Sequence, residues 1–490
     1  MEKIINVNAW SVWEQPASPM LTVLVHNAVF SHSRGYLGTP IENIMCIFGP
    51  DKSGSYQGKE IFRYDEFRVL GQRMIDMFMC PQYLAAFNND VITNEQRVVK
   101  CANEILNSNY SINDVPGVFD ELEKLYNDYL GVGWVVEPMQ FQTEYILSNY
   151  LKDPDKVKIL STIKEDSYSI DIIKSLRDCK AGIITPEKHS KKYHWCQNNY
   201  YETKYLSAAD VTCEIKEHSI EYYDNLIRTT QQSKQELLDQ KEKIMAVLPG
   251  YYQKIVTFAN NIGAKFIDDR KKIIMLCNAA FDKLLAVVAK GTKTPIADVR
   301  LLIPQELRCF ISNPKAYKQR FEERRKLFIC IQSPFPLIDE LIEPTGRITS
   351  MKDPFTAEGE AAEKILAQLD TRLNLFTIVS GHNDKLQGVV AYHNENEIIG
   401  IVRIIKNPIK EKLIAGEILV ATTTTPDYLD AICKSLAIVT DYGGQTSHAA
   451  IVTRELKKPC IIGTNCASQV LQTGQKVKIN FVDGTVEVIK

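Results

Sequence analysis

The 490-residue sequence contains no apolar run approaching the ~18–20 residues needed to cross a hydrocarbon core, so no membrane-spanning helix is expected. No apolar stretch follows Lys3 in the opening MEKIINVNAW, which therefore does not read as a signal peptide. A cytoplasmic protein is the expectation. Charge of one sign is also missing: 58 Lys and Arg stand against 60 Asp and Glu, a formal net charge of −2. So even a balance supplies no field to hold a polyanion, and no nucleic-acid partner is expected. The twelve cysteines include no Cys-x-x-Cys pair, so a zinc ribbon or redox dithiol lacks its basic unit. A chain this long buries a core without disulfide staples, and scattered cysteines read as small core residues. No His, Asp and Glu cluster has metal-ligand spacing, and no metal site is expected. Repeats and low-complexity tracts are absent too.

What is present is globular. Hydrophobic residues make up 45% and charged residues 24%, which excludes wholesale disorder. At ~100–200 residues per domain the length predicts two to four domains. The texture changes twice. Residues 1–215 are mixed and aromatic, and hold all four tryptophans. From 215 to 345, Leu226, Ile227, Leu237, Leu238, Ile244 and Leu248 recur among Lys, Glu and Gln at helical spacing, and the pattern continues from Tyr252 to Lys290. After Leu301–Ile303, Pro304 opens a further helix. Pro344–Pro354 is punctuated by Gly, Pro and Ser, and a short helical pattern follows.

After Gly388 the period changes. Short Val/Ile runs at Ile398–Ile405, Ile418–Val420, Ala437–Thr440, Cys460–Ile462, Val477–Ile479 and Thr485–Ile489 alternate with helical patterns at Asp427–Ser435 and Ser447–Leu456. That alternation predicts a compact α/β domain. Within it lies the informative block Thr440-Asp-Tyr-Gly-Gly-Gln-Thr-Ser-His-Ala-Ala-Ile-Val-Thr-Arg-Glu-Leu-Lys-Lys-Pro459. A strand reaches the Gly443-Gly444 turn, where positive φ and close ligand approach are available. Ser447 is a good N-cap, which puts His448 in the first turn of a helix at the end of an exposed loop. The positive helix end disfavours imidazolium and so keeps the ring neutral and nucleophilic. A phosphoryl group placed on that ring would lie against the free N–H groups of the helix start and the glycine loop. Covalent capture of this kind splits one transfer into two easier ones.

The block, with Gly416-Glu-Ile-Leu-Val420 and Thr424-Thr-Pro426 before it and Pro459-Cys-Ile-Ile-Gly463-Thr464 after it, resembles the mobile phosphohistidine domain of the phosphoenolpyruvate-utilising enzymes. Gly474-Gln-Lys-Val and Asp483-Gly-Thr-Val486 look like that domain's last β-hairpin. The resemblance implies that His448 is the phosphorylated histidine, with Gly443, Gly444, Thr446 and Ser447 as its phosphate loop. Arg454 and Glu455 match the pattern and read as helix-packing or domain-surface residues. The Arg270-Lys-Lys helix, Ala297-Asp-Val and Leu302-Ile-Pro-Gln-Glu-Leu307 resemble, more loosely, the helical central domain of the rifampin-phosphotransferase branch.

The expected fold is therefore α+β and multidomain: a mostly helical central domain followed by a swivelling β/β/α phosphohistidine domain. Residues 1–215 form the N-terminal part of an acceptor-type domain, 216–375 its helical remainder, 376–387 a hinge, and 388–490 the swivelling domain. The ATP-grasp module of the family is not found. Gly49–Gly54 followed by Ser55, and Gly58-Lys59-Glu60, miss the P-loop pattern and read as surface turns. With Lys490 following directly on the histidine domain, the family's phosphoenolpyruvate-binding barrel is not expected on this chain. No cofactor is thus assigned to this chain, and Mg²⁺ and ATP are expected on an ATP-grasp partner.

Trp13, Glu14, His194, Trp195 and Asn199 are candidate contacts for a small-molecule acceptor, since aromatic faces with amides suit a polar ligand, although a packed aromatic corner is the competing reading. The charged run Arg320–Lys326 reads as a solvated helix face. The expected function is a phosphotransferase component that carries a phosphoryl group on His448 to that acceptor. The alternatives are a phosphohistidine carrier or regulatory scaffold without its own acceptor, and a phosphoenolpyruvate-dependent reaction with a partner barrel.

Overall fold

The computed structural model describes residues 10–15, 17–37, 44–50, 56–133, 136–201, 203–332, 354–373, 385–408, 411–443, 447–464 and 466–489. Packing divides the chain into two compact units. One comprises residues 1–142, 198–203 and 269–377, the other residues 143–197, 204–268 and 378–490. These boundaries follow packing and differ from the division at 215, 375 and 387, which follows the order of motifs along the chain. Residues 376–384 of the expected hinge lie outside the described residues, and Lys385–Gln387 is a strand, which corrects that end of the hinge.

The first unit contains a five-stranded antiparallel sheet in the order β1-β3-β2-β4-β5, formed by β1 (Trp10–Gln15), β2 (Ile44–Pro50), β3 (Tyr56–Arg63), β4 (Phe328–Gln332) and β5 (Phe355–Glu358). The expectation of a mostly helical domain overlooks this sheet, because its strands come from opposite ends of the region. Gly49 and Lys59 lie in its β2–β3 hairpin, opposite Gln57 and Ile47, so neither opens a helix as a P-loop requires. Met45, Ile47, Ile61, Ile329 and Ile331 cover one face and pack with Ala362, Ile365 and Leu369 of helix Gly359–Leu373.

The charged run at 320–326 is a solvated face only in part: Glu322, Arg325 and Lys326 are exposed, but Arg324 is not. Arg324 is fully buried against the ring of Phe328, 4.1 Å from its centroid, and pairs with Glu306 and Glu358. Arg320 pairs with the same two carboxylates, and Arg325 with Asp298. His26, also in this unit, is buried between Glu60 and Cys46.

In the second unit, residues 385–490 form an eight-stranded sheet. Its strands are β6 (Lys385–Gln387), β7 (Val389–Tyr392), β8 (Glu397–Ile404), β9 (Ile418–Ala421), β10 (Ala437–Thr440), β11 (Cys460–Ile462), β12 (Lys476–Asn480) and β13 (Thr485–Val488). They pair in the order β6-β13-β12-β8-β9-β10-β11-β7. The neighbours β8 to β11 run parallel, and the rest are antiparallel. Every residue of β9, β10 and β11 is buried, as expected for parallel strands covered on both faces, and explains their unbroken apolar sequences. β8 alternates because one face is wetter. The short helix Leu429–Lys434 and the helix His448–Glu455 lie where the sequence placed them.

The remaining part of this unit is helical. Helices Tyr168–Lys180, Ala208–Glu217 and Ile220–Val247 start at Ser167, Ser207 and Ser219, and the last two serines accept backbone N–H bonds as caps. Leu147, Val157, Leu160, Leu248 and Val256 form one cluster, on which Ile244 and Met245 of helix Ile220–Val247 pack.

Candidate active site

The loop after β10 is fixed from below. Thr440 and Asp441 are fully buried. The Thr440 hydroxyl donates to the carbonyl of Tyr442 at 2.9 Å, and its own carbonyl accepts from the Thr464 hydroxyl at 3.0 Å. Asp441 accepts from the Ser468 N–H at 2.8 Å and from the Ser468 hydroxyl. The chain then turns at Gly443, whose φ of +137° is a conformation L residues rarely adopt. A Cβ at Gly443 would lie 2.9 Å from the Ser447 Oγ. That oxygen is needed elsewhere, because it accepts from the Ala450 N–H at 3.3 Å and caps helix His448–Glu455. Gly443 is thus required both by its φ and by the space it leaves for the cap. Gly444 and Thr446 lie outside the described residues.

His448 opens the helix as expected, but it is not an exposed loop residue: only 5% of its surface is accessible. The reason is tertiary. Its Nδ1 lies 2.9 Å from the Thr424 hydroxyl, at the end of the loop after β9. Its ring stacks on Tyr168, with centroids 5.9 Å apart and planes inclined by 11°. Tyr168 is backed by Trp195, edge to face at 5.6 Å, and the indole N–H of Trp195 donates to the Lys192 carbonyl at 3.2 Å. A proton on Nδ1, donated to Thr424, leaves the ring lone pair on Nε2.

Further along the same helix, Glu455 accepts from the Ser167 hydroxyl at 2.5 Å and lies 3.9 Å from Lys234 Nζ. Arg454 is buried; burial pulls its pKa down, against the charges of Glu144 and Glu455. Lys434–Glu217 at 3.1 Å and Lys457–Glu236 at 3.6 Å add two more ion pairs between residues 378–490 and the helices of the same unit. The contact is polar at its rim and aromatic at His448.

The acceptor candidates fall apart into separate environments. Trp195 is a buried prop behind Tyr168. His194 stacks on Tyr205 with centroids 5.0 Å apart, and burial lowers its pKa. Asn199 belongs to the other unit and is spent on backbone: its Oδ1 accepts from the Tyr201 N–H at 2.8 Å, and its carbonyl accepts from Asn278. Trp13 and Glu14 lie on β1 opposite Glu60 and Lys59, and their side chains are outside the described residues. Sequence reasoning missed Tyr168 and the role of Thr424. Thr424 lies in a motif already visible in the sequence, whereas nothing near Tyr168 marks it.

Among the described residues, Glu217, His218 and Asp430 bring ligand-type atoms within 4.8 Å of one another. Lys434 already occupies that cluster, with Nζ 3.1 Å from Glu217 and 2.9 Å from Asp430, so an ammonium supplies the positive charge a metal would bring.

Residues 413–484 match the family described as the mobile domain of PEP-utilising enzymes. Over 76 residues the chain is 50% identical to the phosphoenolpyruvate synthase of Pyrococcus furiosus, which covers 16% of this chain and 9% of that protein. It is 49% identical over 75 residues to a probable phosphoenolpyruvate synthase of Archaeoglobus fulgidus, covering 15% and 10%. An uncharacterized protein of Mycobacterium bovis is 38% identical over 91 residues, covering 19% and 11%. The matched part of the chain spans about a tenth of the length of these relatives. The crystal structure of Thermococcus kodakaraensis aconitase X aligns at 21% identity over 22% of this chain and 98% of that chain, but with a TM-score of 0.18 it carries no weight. The His448 loop lies inside the segment that matches the mobile domain of PEP-utilising enzymes.

Proposed function

We propose that this chain is a phosphotransferase component in which His448 carries a phosphoryl group from a nucleotide on a separate ATP-grasp partner to a small-molecule acceptor held outside the mobile domain. The observation that carries the reading is the setting of His448. Its ring opens a capped helix inside the matched domain, with Nδ1 2.9 Å from the Thr424 hydroxyl; in the tautomer that donates from Nδ1 to Thr424, the Nε2 lone pair is the nucleophile.

In the first step Nε2 attacks the donor phosphorus, the bond to the leaving oxygen breaks, and its electron pair departs with the leaving group. In the second, an acceptor oxygen attacks, the P–N bond breaks and the neutral ring returns. The Ser447-capped helix start and the Gly443 turn offer N–H groups to the transferred oxyanion. Mg²⁺ and ATP belong to the partner on this reading. Because Tyr168 covers His448, the ring must leave that stack to meet a donor; of the expected hinge 376–387, Lys385–Gln387 is held in the sheet as β6, so the proposed hinge narrows to the residues before it. Phosphoenolpyruvate as the donor is the second reading, favoured by the phosphoenolpyruvate synthases among the relatives.

The test is label transfer. The full chain is incubated with radiolabelled ATP and candidate ATP-grasp proteins, and in parallel with radiolabelled phosphoenolpyruvate and a barrel-bearing partner. Acid-labile label on the wild-type chain and none on His448→Ala is the expected result. If His448 stays unlabelled with every donor and partner, the proposal fails.

A further inference from the structure

His448 and Glu455 stand at the two ends of one short helix, two turns apart, and so share a face. Both ends of that face meet the start of helix Tyr168–Lys180. At one end the His448 ring stacks on Tyr168, with centroids 5.9 Å apart. At the other the Ser167 hydroxyl donates to Glu455 at 2.5 Å. Ser167 holds the N-cap position of its helix yet makes no side-chain cap bond, so its hydroxyl serves this contact instead of its own helix. The Glu455 carboxylate thereby lies at a positive helix end, which favours it. All these residues belong to the second unit.

The charges around the contact are matched. Lys234, on helix Ile220–Val247, lies 3.9 Å from Glu455 and 3.0 Å from Asp166, and also donates to the Glu165 carbonyl. Lys174 takes the other oxygen of Asp166 at 2.5 Å. Arg454 is faced by the charges of Glu144 and Glu455. The pairs Lys457–Glu236 and Lys434–Glu217 stand at the rim, and with Glu236 68% and Glu217 59% exposed they hold weakly. The grip is therefore concentrated at Ser167, Tyr168 and Lys234. It covers the reacting atom as well: Nε2 is buried with the rest of the His448 ring, so no donor reaches it while the contact holds.

We propose that Ser167, Tyr168 and Lys234 form an autoinhibitory latch, which parks the carrier helix with His448 shielded and whose release gates reaction at the ring. Ser167 and Lys234 grip the far end of the helix through Glu455, and Tyr168 covers the ring at the near end. One charge-assisted hydrogen bond and one ring stack are contacts of moderate strength, which suits a hold that must open. The consequence for phosphoryl transfer rests on the carrier reading above; the shielding itself does not.

The test treats the full chain with diethyl pyrocarbonate, which modifies neutral imidazole, and follows His448 by peptide mass spectrometry. The reactivity of a covered group tracks the population in which its cover is open, so wild-type His448 should react at least about tenfold more slowly than N-acetylhistidine. Ser167→Ala/Tyr168→Leu, which leaves residues 385–490 untouched, and Glu455→Gln, on the other side of the contact, should each speed modification of His448 about tenfold, the weight of one hydrogen bond to a charged group. His189, 1% exposed in the same unit, should stay unmodified in every form, which separates release from unfolding. Where a phosphoryl donor labels the wild type, both variants should label faster. If no donor labels any form while the variants still uncover His448, the carrier reading fails and the latch stands. Wild-type His448 reacting as fast as N-acetylhistidine, or variants reacting no faster than wild type, would overturn the latch. So would exposure of His189 along with His448 in both variants, because the contact would then be part of the fold and not a releasable hold.

Discussion

Arg324 offers the most direct test of how the first unit is held together. Its guanidinium spans two carboxylates, with Nη1 and Nη2 each 2.7 Å from Glu306 and Nε 3.0 Å from Glu358, and Nη1 also reaches the Leu301 carbonyl at 2.8 Å. The side chain is 0% exposed, and those of Glu306 and Glu358 are 11% and 16% exposed. Arg324→Met keeps much of the volume and the contact with Phe328 but leaves two largely buried carboxylates. Breaking one side of a buried pair costs about 3–5 kcal/mol. Arg320 still serves both carboxylates, with Nη1 2.9 Å from Glu306 and Nε 2.5 Å from Glu358, so the low end, about 3 kcal/mol, is expected.

The sign of the pH dependence is fixed as well. Burial works to raise the Glu358 carboxyl, but the hydrogen bond from Arg320 and the charges of Arg324 and Arg320 outweigh it and hold the group below its ordinary 4.5. A depressed carboxyl contributes stability above the unfolded pKa and loses it as pH falls through the folded one. The gap between wild type and variant should therefore be full at pH 7 and narrow as acid protonates Glu358, being smallest below about pH 4.5. Adding Glu306→Gln and Glu358→Gln to Arg324→Met should recover much of the loss at pH 7. Urea unfolding, with hydrogen exchange of β4 and β5 as the local readout, measures it. A gap below about 1 kcal/mol at pH 7, or one indifferent to acid, would refute the reasoning.

Two further outcomes follow from the second unit. Gly443→Ala forces a Cβ into a φ of +137° and against Ser447 Oγ, so it should cost about 1–3 kcal/mol and loosen the cap; unchanged exchange protection of the Ala450 amide would refute it. His189 is buried with Nδ1 2.8 Å from the Ser175 hydroxyl, and burial, with the nearby charge of Lys192, pulls its pKa down to about 4. Its contribution is present above the ordinary 6.5 and lost as pH falls toward 4, about 2 kcal/mol by pH 5. His189→Gln, neutral throughout and still able to bond Ser175, should flatten that part of the urea profile between pH 7 and 5; a wild-type slope in the variant would exclude His189 as its source.

The sequence by itself determined what short-range physics controls. Apolar runs in 385–490 became β8 to β13, since β9 to β11 are buried on both faces and leave little room for polar residues. Ser447 capped its helix, and Gly443 turned where only glycine fits, because both depend on neighbours a few residues away. The long helices of 220–247 and 250–292 were legible from their 3.6-residue period.

Only the tertiary structure decided the rest. The sheet β1-β3-β2-β4-β5 joins residues 10–63 to residues 328–358, and no local pattern announces such a pairing. Arg324 reads as solvated from its charged neighbours, yet carboxylates at 306 and 358 repay its burial. His448 reads as exposed from its glycine loop, yet it is buried because Tyr168, distant in sequence, covers its ring. A residue's chemistry is set by its type and its turn of helix. Its dielectric and its partners are set by whatever the fold brings against it.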